Sequence, residues 1–453
     1  MTNTRAPSLL TEMRSTLWLA APLIVGQLSN VGMTFVDTLM AGRLSPQALA
    51  AVAMGSTVWN SAILFLIGTL LAVPALVARL DGAGQRPRLA RLIRQAIWLA
   101  LSLSLVLFVV MRAAAPLLSH LDLEPEVYRM ALEYVDAISW GVPALGCFLV
   151  LRYLSDGLGF TRPTMYVGLA GMLINIPADY VFMFGALGVP AMGARGTGLA
   201  TTVVLYSQLL IMMLIIAYGS RYRFLKLFRR WDLPRPRRIL EITRVGLPIG
   251  AAIFVEASMF VMSTLLMGTL GTQAVAGHQV AMNFSAFMFM VPLGTSLAIT
   301  VRVGNAAGRN DWSEARFRGI AGLTLVLCTQ LTSATIILLF PQQIAGLYTD
   351  DAAVISIAVS LLFFSAIFQL SDGIQVAAAG ALRGLKDTAV PMVIMIAAYW
   401  AVGIPLCYQL GIRLGQGGAG IWIGMLSGLT VAAVLLSLRF LRLTQLHRQR
   451  ALP

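Results

Sequence analysis

The chain has 453 residues, 58% hydrophobic and only 11% charged, with a mean hydropathy of +0.81. A soluble protein carries about 25% charged residues, so composition excludes a soluble globular enzyme and leaves a polytopic helical membrane protein of about two domains or one double-sized bundle. The net charge of +14 does not point to nucleic acid, because the basic residues sit in short loops between apolar spans, where they act as topology signals.

Twelve apolar segments follow in chain order, at about 17–42, 50–78, 95–118, 127–151, 163–187, 196–219, 245–270, 273–301, 319–340, 353–381, 389–411 and 418–438. Pro22, Pro74, Pro143, Pro177, Pro248, Pro292 and Pro405 fall inside them, so kinks are expected there. Cys147, Cys328 and Cys407 lie in apolar runs with no pairing pattern and are expected as reduced core residues. The first 16 residues lack a short apolar core before a small-residue cleavage site, so no removable signal peptide is expected.

Charge placement predicts the orientation. The termini and every second loop hold 28 of the 33 Lys and Arg residues, nine of them in 221–244; the other loops hold Arg43, Arg112, Arg129, Arg195 and Arg413. Basic loops stay in the cytoplasm, so both termini are expected inside.

The two halves repeat. At an offset of 226, Pro22 falls on Pro248, Gly42 on Gly268, Gly68-Thr69 on Gly294-Thr295 and Gly82 on Gly308. At 227, Gly157-Leu158 falls on Gly384-Leu385, and one residue later Ile176-Pro177 falls on Ile404-Pro405. The register predicts two pseudo-symmetric six-helix bundles: 1–220, a basic cytoplasmic linker at 221–244, and 245–453. Transporters with parallel repeats bind substrate between the halves and rock one against the other; other membrane proteins also contain duplications.

Acids inside spans cost on the order of 3 kcal/mol to insert and mark function by default. Glu256 is the one ionisable group in residues 246–270, a stretch that as a helix is roughly 37 Å long. Asp372 lies in the tenth span. Asp37 and Asp179 lie at similar depth in the first and fifth spans, and Asn175, four residues before Asp179, shares its helix face. The repeat does not copy these acids: Glu256 corresponds to Asn30, and Asp37 to Ser263. Desolvation disfavours a buried carboxylate's charged form, so such groups suit carrying a proton, binding Na+ with other oxygens, or holding a cationic substrate. His278, Gln279 and Asn283 follow in the eighth span; satisfied core amides compete there with a polar cavity wall. His120, His278 and His447 offer no metal-ligand spacing with an acid, and no nucleophile elbow, phosphate loop or cofactor fingerprint is present. The chain is therefore not read as an enzyme, and no cofactor is expected.

Three motifs carry a family resemblance: APLIVGQLSNVGMTFVDTLMAGRLS at 21–45, LGTQAVAGHQVAMNFSAFMFMVPLGTSLAITVRVGNAAG at 270–308, and GALRGLKDTAVP at 380–391. With Glu256 in the seventh span and Asp372 in the tenth, the chain resembles the multidrug and toxic compound extrusion (MATE) family in its NorM-like bacterial branch. The resemblance implies a MATE-type fold with alternating access in the bacterial inner membrane, without nucleic acid and as a monomer. It implies export of small organic cations and amphipathic drugs in exchange for H+ or Na+. Glu256 and Asp372 would form a second-lobe cation site, with Na+ as one occupant, and Asp37, Asn175 and Asp179 a first-lobe site. Gln279, Asn283, His278 and Phe368 would line the substrate cavity. Phe368 stands where this branch can carry a tyrosine, which removes an oxygen from a Na+ shell. Asp179 stands where asparagine is common. A lipid-linked oligosaccharide flippase shares the architecture, but its polyanionic substrate would want arginines where this chain has acids.

The orientation is testable with Arg230→Cys and Gly415→Cys in a background without the native cysteines. An impermeant thiol reagent added outside should label position 415 and leave 230 unlabelled; labelling of 230 from outside overturns the orientation.

Overall fold

The computed structural model describes residues 8–114, 124–229 and 232–450; His120, Arg230 and the end of the segment expected over 95–118 lie outside them. The described residues are mostly helical, with no strand among them. An apolar chain in lipid must satisfy its backbone within each segment, and helices do that.

The first half contains α1 (Leu9–Leu44), α2 (Pro46–Leu70), α3 (Ala72–Gly82), α4 (Arg86–Ala114), α5 (Pro125–Ser139), α6 (Val142–Gly157), α7 (Arg162–Phe184) and α8 (Ala194–Tyr218). The second contains α9 (Pro236–Gly268), α10 (Thr272–Gly308), α11 (Trp312–Leu339), the short α12 (Pro341–Gly346), α13 (Ala352–Gly384) and α14 (Ala389–Ile396). A π-helical stretch at Ala397–Gly403 leads into α15 (Ile404–Tyr408), and α16 (Gly417–Arg450) ends the described chain. Among the described residues, eleven spans are long and apolar enough to cross a membrane, and the bent α5–α6 pair makes twelve if it is one span.

Proline acts differently at different positions. Pro22, Pro177, Pro248 and Pro292 sit inside continuous helices. Pro143 stands in the first turn of α6, just past a 44° bend from α5. Its missing N–H cannot continue the preceding helix, whereas in a first turn nothing is lost. Pro405 likewise opens α15, directly after the π-helical stretch.

The contacts divide the chain into two compact units, and the division departs from the loop-based boundaries. One unit holds residues 25–81 and 85–250; the other holds the residues up to Ile24, Gly82–Gly84 and Ala251 onward. Residues 221–244 therefore pack within the first of these units. The exchanged ends have physical causes. Gly246 and Gly250 of α9 lie so close to α2 that a Cβ on Gly250 would stand 3.3 Å from the Phe65 carbonyl oxygen. In the other unit, Gly294 of α10 meets Ile24 of α1, where a Cβ would stand 3.0 Å from the Ile24 nitrogen. The start of α1 is also held by Glu12, buried against Arg302 at 2.5 Å and Arg318 at 3.7 Å.

Helices α10 and α13 are joined by small residues and hydroxyls. Ser296 Oγ donates to the Val376 carbonyl at 2.7 Å, and Thr300 Oγ1 to the Gly380 carbonyl at 2.8 Å. A Cβ on Gly380 would stand 2.6 Å from the Ser296 carbonyl oxygen, and one on Gly384 2.7 Å from that of Thr300. Small residues let membrane helices approach closely enough for such bonds. The repeat is visible here, since Gly157, the partner of Gly384, packs on the Pro74 carbonyl 226 residues before Thr300. The cysteines are free and only Cys407 is buried; Cys328 is exposed on α11, so it is not the core residue expected, and apolar sequence alone did not separate an outward from an inward face.

Gly380→Val should strain the α10–α13 seam by about 1–3 kcal/mol, typical of overpacking, and lower the melting temperature of the solubilised protein. Gly346→Ala, where the added Cβ meets nothing within 4 Å, should leave it unchanged.

Candidate functional site

In the unit containing α7 and α8, three of the singled-out side chains converge. Asn175 Nδ2 donates to Asp37 Oδ1 at 2.9 Å. Asp179, one turn along α7, is fully buried beside Asp37 and Asn175, yet neither of its oxygens meets a donor in hydrogen-bond geometry. Thr201 of α8 stands next to Asp37, and the buried Tyr134 of α5 lies within electrostatic reach of both acids. Of the two carboxylates only Asp37 accepts from the Asn175 amide, and an unpaired charge in low dielectric is costly.

The other unit brings Glu256 of α9 and Asp372 of α13 into electrostatic contact. Asp372 is 5% exposed and its Oδ1 has no hydrogen-bond partner. Tyr399 joins them from the π-helical stretch: it is fully buried, within reach of both acids, and its hydroxyl has no partner. π-helical turns recur at functional sites because they re-aim a side chain within a helix. Arg383, also on α13, exerts a field on Glu256 from near the end of that helix while donating to Ser296 Oγ at 2.7 Å.

Sequence reasoning missed Tyr399, Tyr134, Thr201 and Arg383. A lone tyrosine in an apolar span carries no signal of its own, and Arg383 reads as a loop cation.

The remaining residues are placed apart. Gln279 and Asn283 share an exposed face of α10. His278, expected on a cavity wall, is fully buried: Trp422 Nε1 donates to its Nδ1 at 3.2 Å, and its Nε2 lies 3.1 Å from Thr264 Oγ1. An indole can only donate, so Nδ1 is an acceptor and Nε2 carries the proton. Phe368 is 2% exposed and packs on Phe260 and Trp422 with centroids 6.0 and 5.6 Å away. Both belong to an aromatic core behind the acids, because the face of α10 carrying His278 and the face of α13 carrying Phe368 both turn toward α16. Arg152 is also buried, 3.5 Å from Asp156 and donating to Gln27 at 3.1 Å, so each unit carries a buried arginine toward the end of a span.

The fold and these acid clusters define a multi-pass helical membrane protein with an internal repeat and polar sites within each repeat. The MatE family profile matches residues 22–181 and 248–409, and the chain belongs to that family. It is 44% identical to the multidrug resistance protein PmpM of Pseudomonas aeruginosa over 95% of this chain and 91% of that protein. It is 42% identical to the probable multidrug resistance protein NorM of Xanthomonas axonopodis pv. citri over 96% and 95%. Among solved structures, the eukaryotic MATE transporter AtDTX14 superposes with a TM-score of 0.88 at 19% identity, covering 98% of this chain and 99% of that one.

Trp422→Phe leaves the buried Nδ1 of His278 without its donor. The change should destabilise the protein by about 1–3 kcal/mol, read by thermal melting, with drug affinity unchanged. A selective loss of drug affinity would return His278 to the binding surface.

Proposed function

We propose that this protein is a cation-coupled antiporter that exports cationic, amphipathic drugs across the bacterial inner membrane by alternating access. The observation that carries this reading is the Glu256–Asp372–Tyr399 cluster, two carboxylates and a phenol brought together inside apolar helices. The names of the relatives, multidrug resistance proteins at 44% and 42% identity over nearly the whole chain, support the substrate class. A flippase for polyanionic substrates fits less well, because the buried arginines stand toward helix ends, Arg152 with Asp156 beside it, while Asp179 and Asp372 each carry a buried oxygen without a donor.

An ion drives export only if its binding biases the two states of the transporter. An inward ion brings about 2.3 kcal/mol per charge per 100 mV, besides its concentration gradient. Two adjacent carboxylates cannot both ionise cheaply, so they share a cation or one of them keeps a proton. Tyr399 carries the hydroxyl that Phe368 lacks: unpartnered in the structure, its O–H is free to turn to an ionised acid, and its oxygen lone pair is open to Na+. The first-unit cluster of Asp37, Asn175 and Asp179 then holds the cationic drug or a second proton. The same reading places both termini in the cytoplasm and takes the protein as a monomer.

Efflux from proteoliposomes under separately imposed Na+ and H+ gradients, with equilibrium drug binding to solubilised protein, tests this. Glu256→Gln and Asp372→Asn should each abolish gradient-driven efflux while leaving most drug binding, and the double variant should be little worse than either, since the pair acts as one unit. Tyr399→Phe should weaken the apparent ion affinity by about ten- to a hundredfold, the worth of one hydrogen bond to a charged group. Normal efflux by Glu256→Gln under both gradients would make Glu256 a packing residue and overturn the proposal.

A further inference from the structure

The described residues of 218–244 are not a slack connection. One side of the segment is bonded to α4 and to the end of α6. Arg94 Nε donates to Asp232 Oδ2 at 2.8 Å, and Trp98 Nε1 to the Asp232 carbonyl at 2.9 Å. Gln95 reads the backbone twice, donating to the Leu233 carbonyl at 3.0 Å and accepting from the Arg235 N–H at 2.7 Å. Tyr222 is buried, its hydroxyl 2.5 Å from Ser155 Oγ and its ring edge-on to Phe160.

The other side is cationic and apolar together. Arg223, Lys226, Arg229, Arg235 and Arg237 are exposed and form no ion pair among the described residues. The acids of the segment are already used, Asp232 by Arg94 and Glu241 by Arg238. Between these cations stand Phe224 and Phe228, each 41% exposed, and Leu233 at 81%. Topology alone asks for basic residues here, but it does not ask for exposed aromatic and aliphatic side chains among them, nor for a backbone pinned at three points.

We propose that this strip is a docking surface for anionic phospholipid headgroups. The segment connects the candidate span ending at Tyr218 to the one starting at Pro236, and a connection between two spans runs where headgroups lie. Cations there attract anionic lipid, and apolar side chains interleaved with them enter the boundary between headgroups and acyl chains. A nucleic acid would use the cations but has no use for Leu233. The surface faces the cytoplasmic leaflet if the orientation in the proposed function holds; the lipid chemistry stands without it.

The test counts bound phosphatidylglycerol against phosphatidylcholine on solubilised full-length protein by native mass spectrometry, which depends on neither sidedness nor transport. Phosphatidylglycerol should be preferred, and less so as salt rises. The triple variant Arg223→Gln/Lys226→Gln/Arg229→Gln should reduce that preference by about a hundredfold, at roughly fivefold per surface cation. The double variant Arg223→Lys/Arg229→Lys, with Lys226 retained, should keep it, which separates charge from misfolding. Equal binding of the two lipids by the wild type, an unchanged preference in the Gln variant, or displacement of the lipid by a single-stranded RNA oligonucleotide would each overturn the proposal. If position 230 labels from outside while phosphatidylglycerol is still preferred, the orientation fails and the docking surface stands.

Discussion

A carboxylate inside an apolar helix is tolerated only where it faces a protein interior or a wet cavity, and the helix packing here provides such a place twice, burying Asp179 and Asp372 and leaving Asp37 and Glu256 half-buried. Asp372 is buried because α13 lies against α10 at the distance that Gly380 and Gly384 permit and that Ser296 and Thr300 fix through their hydroxyls. The aromatic core of Phe368, Trp422 and His278 packs one helical turn before it on α13. In the other unit, Asp179 and Asn175 occupy one face of α7, and Asp37 approaches from α1.

The two units solve one problem with different residues. Each combines two acids with a buried tyrosine, Tyr134 in one and Tyr399 in the other, yet these tyrosines are not related by the repeat. The backbone approaches are the inherited part: Gly157 on Pro74 mirrors Gly384 on Thr300. The charges are not. Asp156 and Arg383 occupy equivalent positions at the offset of 227 with opposite signs. A duplicated scaffold needs its glycines in both copies, because a Cβ is excluded wherever helices touch, whereas polar side chains are free to diverge once the spacing is secured.

Arg383 shows how the seam and the acid pair are connected. Its guanidinium donates to Ser296 Oγ, the same hydroxyl that donates to the Val376 carbonyl, so the charge acting on Glu256 is held by the hydrogen bonds that join α10 to α13. A shift of α13 along α10 would move Asp372 and this positive charge together.

The sequence by itself determined the class, the spans, the repeat and the acids. Hydropathy, glycine and proline register, and the cost of charge in lipid all act locally along the chain. It also placed Asn175 and Asp179 on one face, since that depends only on helical spacing. What required the tertiary structure was everything set by which helix faces meet. The burial of His278 and Phe368 away from the acids depends on α16, and the arrival of Tyr399 depends on the π-helical turn of its span. The exchange of the first turns of α1 and α9 depends on contacts at Ile24 and Thr69. In an all-apolar sequence, hydrophobic periodicity does not separate a core face from a lipid face, so only packing decides which of two similar side chains turns inward.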